Sequence, residues 1–317
     1  MTSPLVLTGA SGFIGRHFLD ACRNSDRRIR ALTRSNKPQD GSEASIDWVT
    51  GDLADPSVWR FLLEPGCTLV NLAYSQIAAT ADAVAATKAM VEACATIGVR
   101  RLVHCSTISV FGRTAGGVID EATPCNPVDE YGIQKLAIEK VLLGADLRSC
   151  ELTILRPAAV FGFGGQALRS LCASLVSGSR LTNYGRSSLF GCRSMHLVPV
   201  ETVVAALQFL ADPVRSFDRE TFIVAEDDDP LNNFRDVERI LMSALEVNDH
   251  PLPPLPLPSA VLKVLLKARG RSEIDPFSRY SAAKLHAAGF VSPVSFAAAL
   301  RTFAENSHAA SSAASIA

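Results

Sequence analysis

Three groups of residues in this 317-residue chain have the types and spacings to do chemistry. In EYGIQKLAIEK, Tyr131 and Lys135 stand four apart on a segment of helical character. Side chains at that spacing share one helix face. A phenol has a pKa of about 10 in water, and a nearby ammonium favours its ionised form. The pair is thus either a proton donor with its activator or two polar residues on a solvated face. In TGASGFIGRHF, Gly9, Gly12 and Gly15 recur every third residue, directly after an apolar run and into a helical one. A pyrophosphate needs that close backbone approach, which a Cβ would block. The helix start then offers N–H groups and partial positive charge. The third group is ALTRSNK, at the end of the second apolar run. Dinucleotide folds that take NAD place an acid there for the ribose 2′-hydroxyl. Thr33 holds that place and Arg34 follows. A guanidinium can clasp a 2′-phosphate bidentately, so NADP(H) is predicted over NAD(H), with Arg16 and Lys37 as helpers. The competing reading of Arg34 is a solvated surface arginine.

These groups need a scaffold, and the pattern supplies one. Strand-like runs at 4–9, 29–33, 45–53, 67–73, 99–107 and 150–157 alternate with helical stretches at 12–22, 56–63, 80–97 and 129–147. Such alternation predicts an α/β fold: a doubly wound parallel Rossmann sheet with helices on both faces. Ligands bind at the carboxyl ends of such strands. Thr107, ending the fifth, then lies at the mouth of the site, and Tyr131 and Lys135 on the next helix face the same crevice. Asp52 and Leu53 after the third strand suit the adenine edge, and Leu72 and Ala73 after the fourth leave room for the cofactor backbone. Beyond Pro157 the pattern changes. The expected organisation is a dinucleotide domain over 1–157, to which 196–225 returns. A smaller, partly interleaved C-terminal substrate domain covers 158–195 and 226–305, and a disordered tail 306–317. Residues 180–196 read as a polar loop, His196 as structural, and 259–269 as a basic amphipathic helix that packs on the smaller domain or touches a membrane surface.

Composition narrows the classes. A net charge of −1, with 48% hydrophobic and 20% charged residues, gives no general reason to expect nucleic acid as a partner. Eight scattered cysteines contain no C-x-x-C pair and no zinc-like spacing, so no metal is expected and they read as reduced core residues of a cytoplasmic protein. No run reaches the ~18 apolar residues needed for a membrane span.

The motifs TGASGFIG, GDL, STISVFG, YGIQK and LRPAAVFG occur in order. Over residues 4–305 the chain resembles the extended short-chain dehydrogenase/reductase family, in its NAD(P)-dependent (nucleotide-sugar) epimerase/dehydratase branch. That resemblance implies Tyr131 as the acid/base, Thr107 holding the same substrate oxygen, and Lys135 activating Tyr131 and binding the nicotinamide ribose. It implies Ser11, Phe13 and Ile14 within the cofactor turn, and Pro157 to Val160 beside the nicotinamide. The substrate side is expected from Arg180, Asn183 and Arg193, with Arg186 and Tyr184 near them. A homodimer through the helices at 80–97 and 129–147 is implied by analogy.

Departures refine this. Ala83 and Ala159 stand where relatives often carry asparagine, and Ile108-Ser109 where 4,6-dehydratases carry Asp-Glu, which argues against dehydration. The expected activity is NADP(H)-dependent reduction of a keto group on a nucleotide-linked sugar. The alternatives are a nucleotide-sugar 4-epimerase, a reductase of a non-sugar carbonyl, and a non-enzymatic dinucleotide-binding sensor.

Overall fold

The computed structural model describes residues 3–23, 25, 27–34, 46–74, 79–112, 114, 117–255, 261, 264 and 277–314, with side chains described to 307. Seven strands form the central sheet: β1 (Leu5–Thr8), β2 (Ile29–Thr33), β3 (Ile46–Thr50), β4 (Thr68–Asn71), β5 (Arg101–Cys105), β7 (Glu151–Pro157) and β10 (Glu220–Val224). Their spatial order is β10-β7-β5-β4-β1-β2-β3. Pairing from β3 through to β7 is parallel throughout. The winding direction reverses between β1 and β4, which opens a crevice at the carboxyl ends of those strands. Continuous apolar runs such as LVLT and TLVN are buried along their whole length, as strands covered on both faces must be.

The helices of this part are α1 (Phe13–Cys22), α2 (Val58–Leu62), α3 (Thr80–Ile97), α4 (Glu130–Gly144) and α7 (Val200–Leu210). Alanine-rich α3 has the bounds its pattern predicts, and Gly98 ends it in the left-handed conformation at φ 82°. Val6, Leu69, Leu102 and Leu152 from the strands pack with Met90 and Cys94 of α3 and Ile138 and Leu142 of α4. Each fully buried Leu or Val there contributes roughly 1.5–3 kcal/mol. A buried ion pair crosses this core. Arg156 of β7 donates to both carboxylate oxygens of Glu139 on α4, at 3.1 and 2.6 Å, and its guanidinium stacks 4.9 Å from the Phe111 ring.

The chain divides into two compact units. The first comprises 1–112, 125–157 and 204–222; the second comprises 113–124, 158–203 and 223–317. The returning segment is shorter than the expected 196–225, and 113–124 belongs with the second unit. That unit contains two small parallel ladders, β6 (Val118–Ile119) with β11 (Arg279–Tyr280) and β8 (Ala159–Phe161) with β9 (Leu197–Pro199). Helices α5 (Arg169–Ser177), α6 (Arg180–Phe190), α8 (Phe234–Ala244), α9 (Ala283–Ala287) and α10 (Phe296–Ala314) complete it. Phe161, Leu175, Leu197, Val237, Leu241, Phe296 and Phe303 form its core.

Two expectations change here. The segment read as a polar loop from 180 is largely helical: Ser179 caps α6 by accepting from the Thr182 N–H. Its buried positions are Asn183 and Ser187, so no apolar period reveals it. The final helix continues to Ala314, past the point at 306 where a disordered tail is expected, in a stretch rich in alanine, the best helix former. The basic helix expected at 259–269 lies outside the described residues except at 261 and 264.

Removing one partner of the buried Arg156–Glu139 pair leaves the other as an uncompensated charge. Arg156→Met should therefore lower stability by about 3–5 kcal/mol in urea unfolding. The double variant Arg156→Met/Glu139→Leu should recover most of that loss, and a single variant as stable as wild type would disprove the coupling.

Candidate active site

At the carboxyl end of β1, Gly9 follows the strand with φ +71°. A Cβ on Gly9 would come within 2.8 Å of the Ala73 nitrogen and the Leu72 carbonyl carbon, and one on Gly15 within 2.1 Å of the Gly9 oxygen. Chain packing alone thus requires glycine at 9 and 15, before any ligand is considered. The Gly12 N–H closes the turn onto the Gly9 carbonyl at 3.0 Å. No side chain caps α1 at Gly12 and no acid lies in its first turn. The helix start around Phe13, Ile14 and Gly15 is left for an anion, and the residues present fit a dinucleotide pyrophosphate. Ser11 is exposed in the same turn. At the end of β2, Thr33 is buried and Arg34 exposed. The Gly51 N–H bonds the Thr33 carbonyl at 2.9 Å, so β3 leads Asp52 and Leu53 past the end of β2. Asp52 accepts from the Ala54 N–H at 2.9 Å, and Leu53 packs partly on the core.

Beneath the cradle runs a row of buried polar groups. Register aligns Thr8 of β1 with Asn71 of β4, and Asn71 with His104 of β5. The Thr8 hydroxyl donates to Asn71 Oδ1 at 2.6 Å, and Asn71 Nδ2 faces His104 Nδ1 at 3.1 Å. If Asn71 donates, the neutral imidazole carries its proton on Nε2. Nε2 is buried and has no hydrogen-bond partner among the described residues. Burial holds His104 well below the usual histidine range, and the Lys135 charge adds to that.

The catalytic candidates converge at the ends of β5 and α4. Thr107 is extended (φ −164°) and caps the 3-10 turn Ile108–Val110 by accepting from the Ser109 N–H. Asp129 caps α4 by accepting from the Gly132 N–H at 2.7 Å. Gly132 lets α4 approach this turn, since a Cβ there would lie 2.5 Å from the Ser109 carbonyl oxygen. Tyr131 is thereby brought near enough to Thr107 for the threonine to favour its ionised form. Lys135 is buried and its Nζ donates to the Cys105 carbonyl at 2.9 Å.

The phenol's electrostatics differ from the expectation. Lys135 is expected to pull Tyr131 down, but burial of the phenol pushes it up to about 12, and Thr107 offsets this only in part. This holds although 36% of the residue's surface is exposed. The Lys135 ammonium bonds the Cys105 carbonyl, faces an aromatic ring and is itself lowered by burial.

That ring belongs to Tyr74, which the sequence reading missed. It lies past the end of β4, after Leu72 and Ala73, meets the Tyr131 ring edge-to-face at 4.8 Å between centroids, and lies 5.3 Å from Lys135 Nζ. Its position one residue beyond Ala73, at a strand's carboxyl end, was the available signal. Pro157 is buried at the end of β7, and Val160 is in β8. In the second unit, Asn183 is buried and committed to Ser174, accepting at Oδ1 and donating from Nδ2, both at 2.7 Å. Helix packing thus explains it without a substrate. Arg180 donates to the Asp249 carbonyl at 3.0 Å, and Arg193 lies 5.7 Å from the Phe190 ring. His196, expected as structural, is held by Asp227 at 2.6 Å. Among the described residues no group of three or more His, Cys, Asp or Glu could hold a metal, and no helix is long and apolar enough to cross a membrane.

The approach of α4 to Ser109 is a direct test of this geometry. Gly132→Ala must move the helix, and displacements near 1 Å at a reacting group cost about 100-fold. Turnover should fall by roughly that factor while thermal unfolding stays cooperative. Wild-type turnover in Gly132→Ala would show that this contact does not set the site.

Comparison with known proteins places the chain in a family. A model of the NAD dependent epimerase/dehydratase family matches residues 5–216. The chain is 30% identical over 224 residues to dTDP-4-dehydrorhamnose reductase of Mycobacterium tuberculosis, covering 66% of each chain, so it spans just under two thirds of that relative. Its fold is shared with the UDP-Glc/GlcNAc 4-epimerase of Campylobacter jejuni (TM-score 0.72, 18% identity, 98% of this chain and 100% of the other). It is shared too with MoeE5 solved with UDP-glucose and NAD (TM-score 0.67, 22% identity, 97% and 99%). The family match covers about two thirds of the chain and includes the cradle, Thr107, Tyr131 and Lys135: the chain belongs to the NAD dependent epimerase/dehydratase family.

Proposed function

We propose that the protein is an NADP(H)-dependent oxidoreductase that reduces a keto group on a nucleotide-linked sugar, with Tyr131 as the proton donor. The observation that carries this reading is the placement of Tyr131 on α4 one turn before buried Lys135, whose Nζ reaches the Cys105 carbonyl at the strand end that leads to Thr107, at the carboxyl edge of a parallel dinucleotide-type sheet. The nicotinamide, when bound, supplies or accepts the hydride. The chain's own residues handle the proton. Thr107 and Tyr131 hold the substrate oxygen between two hydroxyls, and Tyr131 gives its proton to that oxygen as it gains charge. A phenol pushed up to about 12 is protonated throughout the neutral range, which is the form a reduction needs. Donation by such a group is fully available below its pKa and is lost as pH rises through it. Oxidation, the first half of an epimerase cycle, needs the opposite form.

NADP(H) is favoured because Arg34 stands exposed at the end of β2 with no acid at Thr33. The 2′-phosphate is its proposed partner. Arg180, Arg186 and Arg193 of the second unit are cations suited to a diphosphate, and the name of the mycobacterial relative supports a sugar nucleotide. The 4-epimerase reading is kept because structures of the same fold include one named as an epimerase.

Two measurements test this. NADPH should bind more tightly than NADH, and Arg34→Ala should narrow the gap; equal affinities in the wild-type protein would overturn the cofactor assignment. With dTDP-4-dehydrorhamnose as the reductase probe and UDP-glucose as the epimerase probe, Tyr131→Phe should lose 100-fold or more in turnover, on the order of a general acid's contribution. Cofactor affinity should stay within about twofold, because the phenol hydroxyl alone is removed. Full turnover by this variant would remove Tyr131 from the mechanism.

A further inference from the structure

We infer that Tyr74 is a positioning residue, whose ring fixes the proton donor Tyr131 and the Lys135 ammonium relative to each other. This rests on the reading of Tyr131 as the acid. The geometry is one ring serving two groups. Tyr74 meets Tyr131 at 4.8 Å with an interplanar angle of 76°, the edge-to-face arrangement that aromatic pairs prefer. Lys135 Nζ lies 5.3 Å from the centroid of the same ring, within the range over which a π face attracts a cation. The ammonium is otherwise bound to the Cys105 carbonyl, so a strand-end carbonyl and a strand-end ring hold it from two sides.

The placement follows from the sheet. β4 and β5 are adjacent and parallel, with Asn71 opposite His104. Tyr74 leaves the end of one strand and Thr107 the end of the other. Tyr131 lies between them, its ring against the aromatic wall on one strand end and its phenol influenced by Thr107 on the other. The phenol of Tyr74 is not required for this: the pair contact and the cation contact both use the ring. Tyr74 is 37% exposed, so changing it opens no large cavity in the core.

The titratable groups around this cluster come from all the elements packed on it. Tyr131 feels Cys105 of β5 and Asp129 at the start of α4 as well as Tyr74. Lys135 feels Cys105 and Glu139, and its charge acts on His104. Tyr74 itself is raised by burial first, then by Glu130 and Asp129. Loss of the Tyr74 ring exposes the Tyr131 phenol to water and leaves these charges in place, so the Tyr131 pKa must fall toward its ordinary value.

The experiment uses ring-labelled tyrosine, of which the chain has four. Nuclear magnetic resonance of the ligand-free protein assigns Tyr131 by its absence from Tyr131→Phe. At pH ~10.5, above the ordinary phenol pKa, wild-type Tyr131 should remain protonated and so should Tyr131 in Tyr74→Phe. In Tyr74→Leu it should be largely ionised, with Tyr74→Met as the second variant if the leucine protein does not fold. Turnover with the probe that the wild-type enzyme accepts should fall about 10- to 100-fold in Tyr74→Leu, with the cofactor KM within about twofold, and Tyr74→Phe should restore it. Tyr131 still protonated in both the leucine and methionine variants would overturn the inference, as would a phenylalanine variant that behaves like leucine. The spectroscopic arm needs no substrate. If Tyr131→Phe keeps full turnover, the reading of Tyr131 as the acid fails while the ring contact is still judged on its own result.

Discussion

The geometry of the site depends on how closely the start of α4 approaches the turn after β5. Gly132 permits that approach, and any side chain there would collide with the Ser109 carbonyl oxygen. Other features consolidate it. Asp129 caps the helix at the Gly132 N–H, and the Asn126 N–H bonds the Phe111 carbonyl, which pins the segment entering α4. Three residues further along the helix, Lys135 reaches the Cys105 carbonyl at the end of the strand from which the turn departs. A helix held at its first turn and again one turn later has little freedom to rotate or slide. Tyr131 therefore meets Thr107 in one arrangement, before any ligand contributes.

The second organising feature is electrostatic. The row from Thr8 through Asn71 to His104 places hydrogen-bonded neutral groups in the interior of the sheet. It ends near the buried Lys135 ammonium. A second charged group at His104 would repel that ammonium, and burial keeps the imidazole neutral. Farther along α4, Glu139 brings a carboxylate into the core, and Arg156 neutralises it. The carboxylate and the guanidinium in this part of the core thus balance each other. Such balance matters because a lone buried charge costs several kcal/mol.

Electrostatics also alters how the Tyr–Lys pair should be understood. Spacing alone suggests direct activation of the phenol by the ammonium. In the folded chain the ammonium is shared between a carbonyl and the Tyr74 ring, and burial of the phenol prevails. A phenol raised in this way keeps its proton through the neutral range, which bears on the direction of any chemistry proposed for it more than the residue types do.

Much of this was legible in the sequence for a physical reason: local periodicity and glycine spacing reflect backbone constraints that act over a few residues. The apolar runs predicted β1, β2, β4, β5 and β7 to within a few residues, and the alanine-rich stretch predicted α3. TGASGFIG announced the cradle because its glycines are demanded by contacts within one strand–turn–helix unit and with the end of β4. The nearness of Thr107, Tyr131 and Lys135 at one strand end was legible because strand ends and i, i+4 spacing are local features. The α6 helix was not, because its buried face is made of Asn183 and Ser187 and shows no apolar period. Nor was the role of Tyr74, which depends on two adjacent strand ends separated by some thirty residues of chain. By itself, then, the sequence determined the order of elements, the glycine turn and which residues are candidates for handling the proton, since each arises from short-range backbone rules. Only the tertiary structure decided which groups share the Lys135 charge and how the Tyr131 phenol ionises, because burial and through-space contact have no signature along the chain.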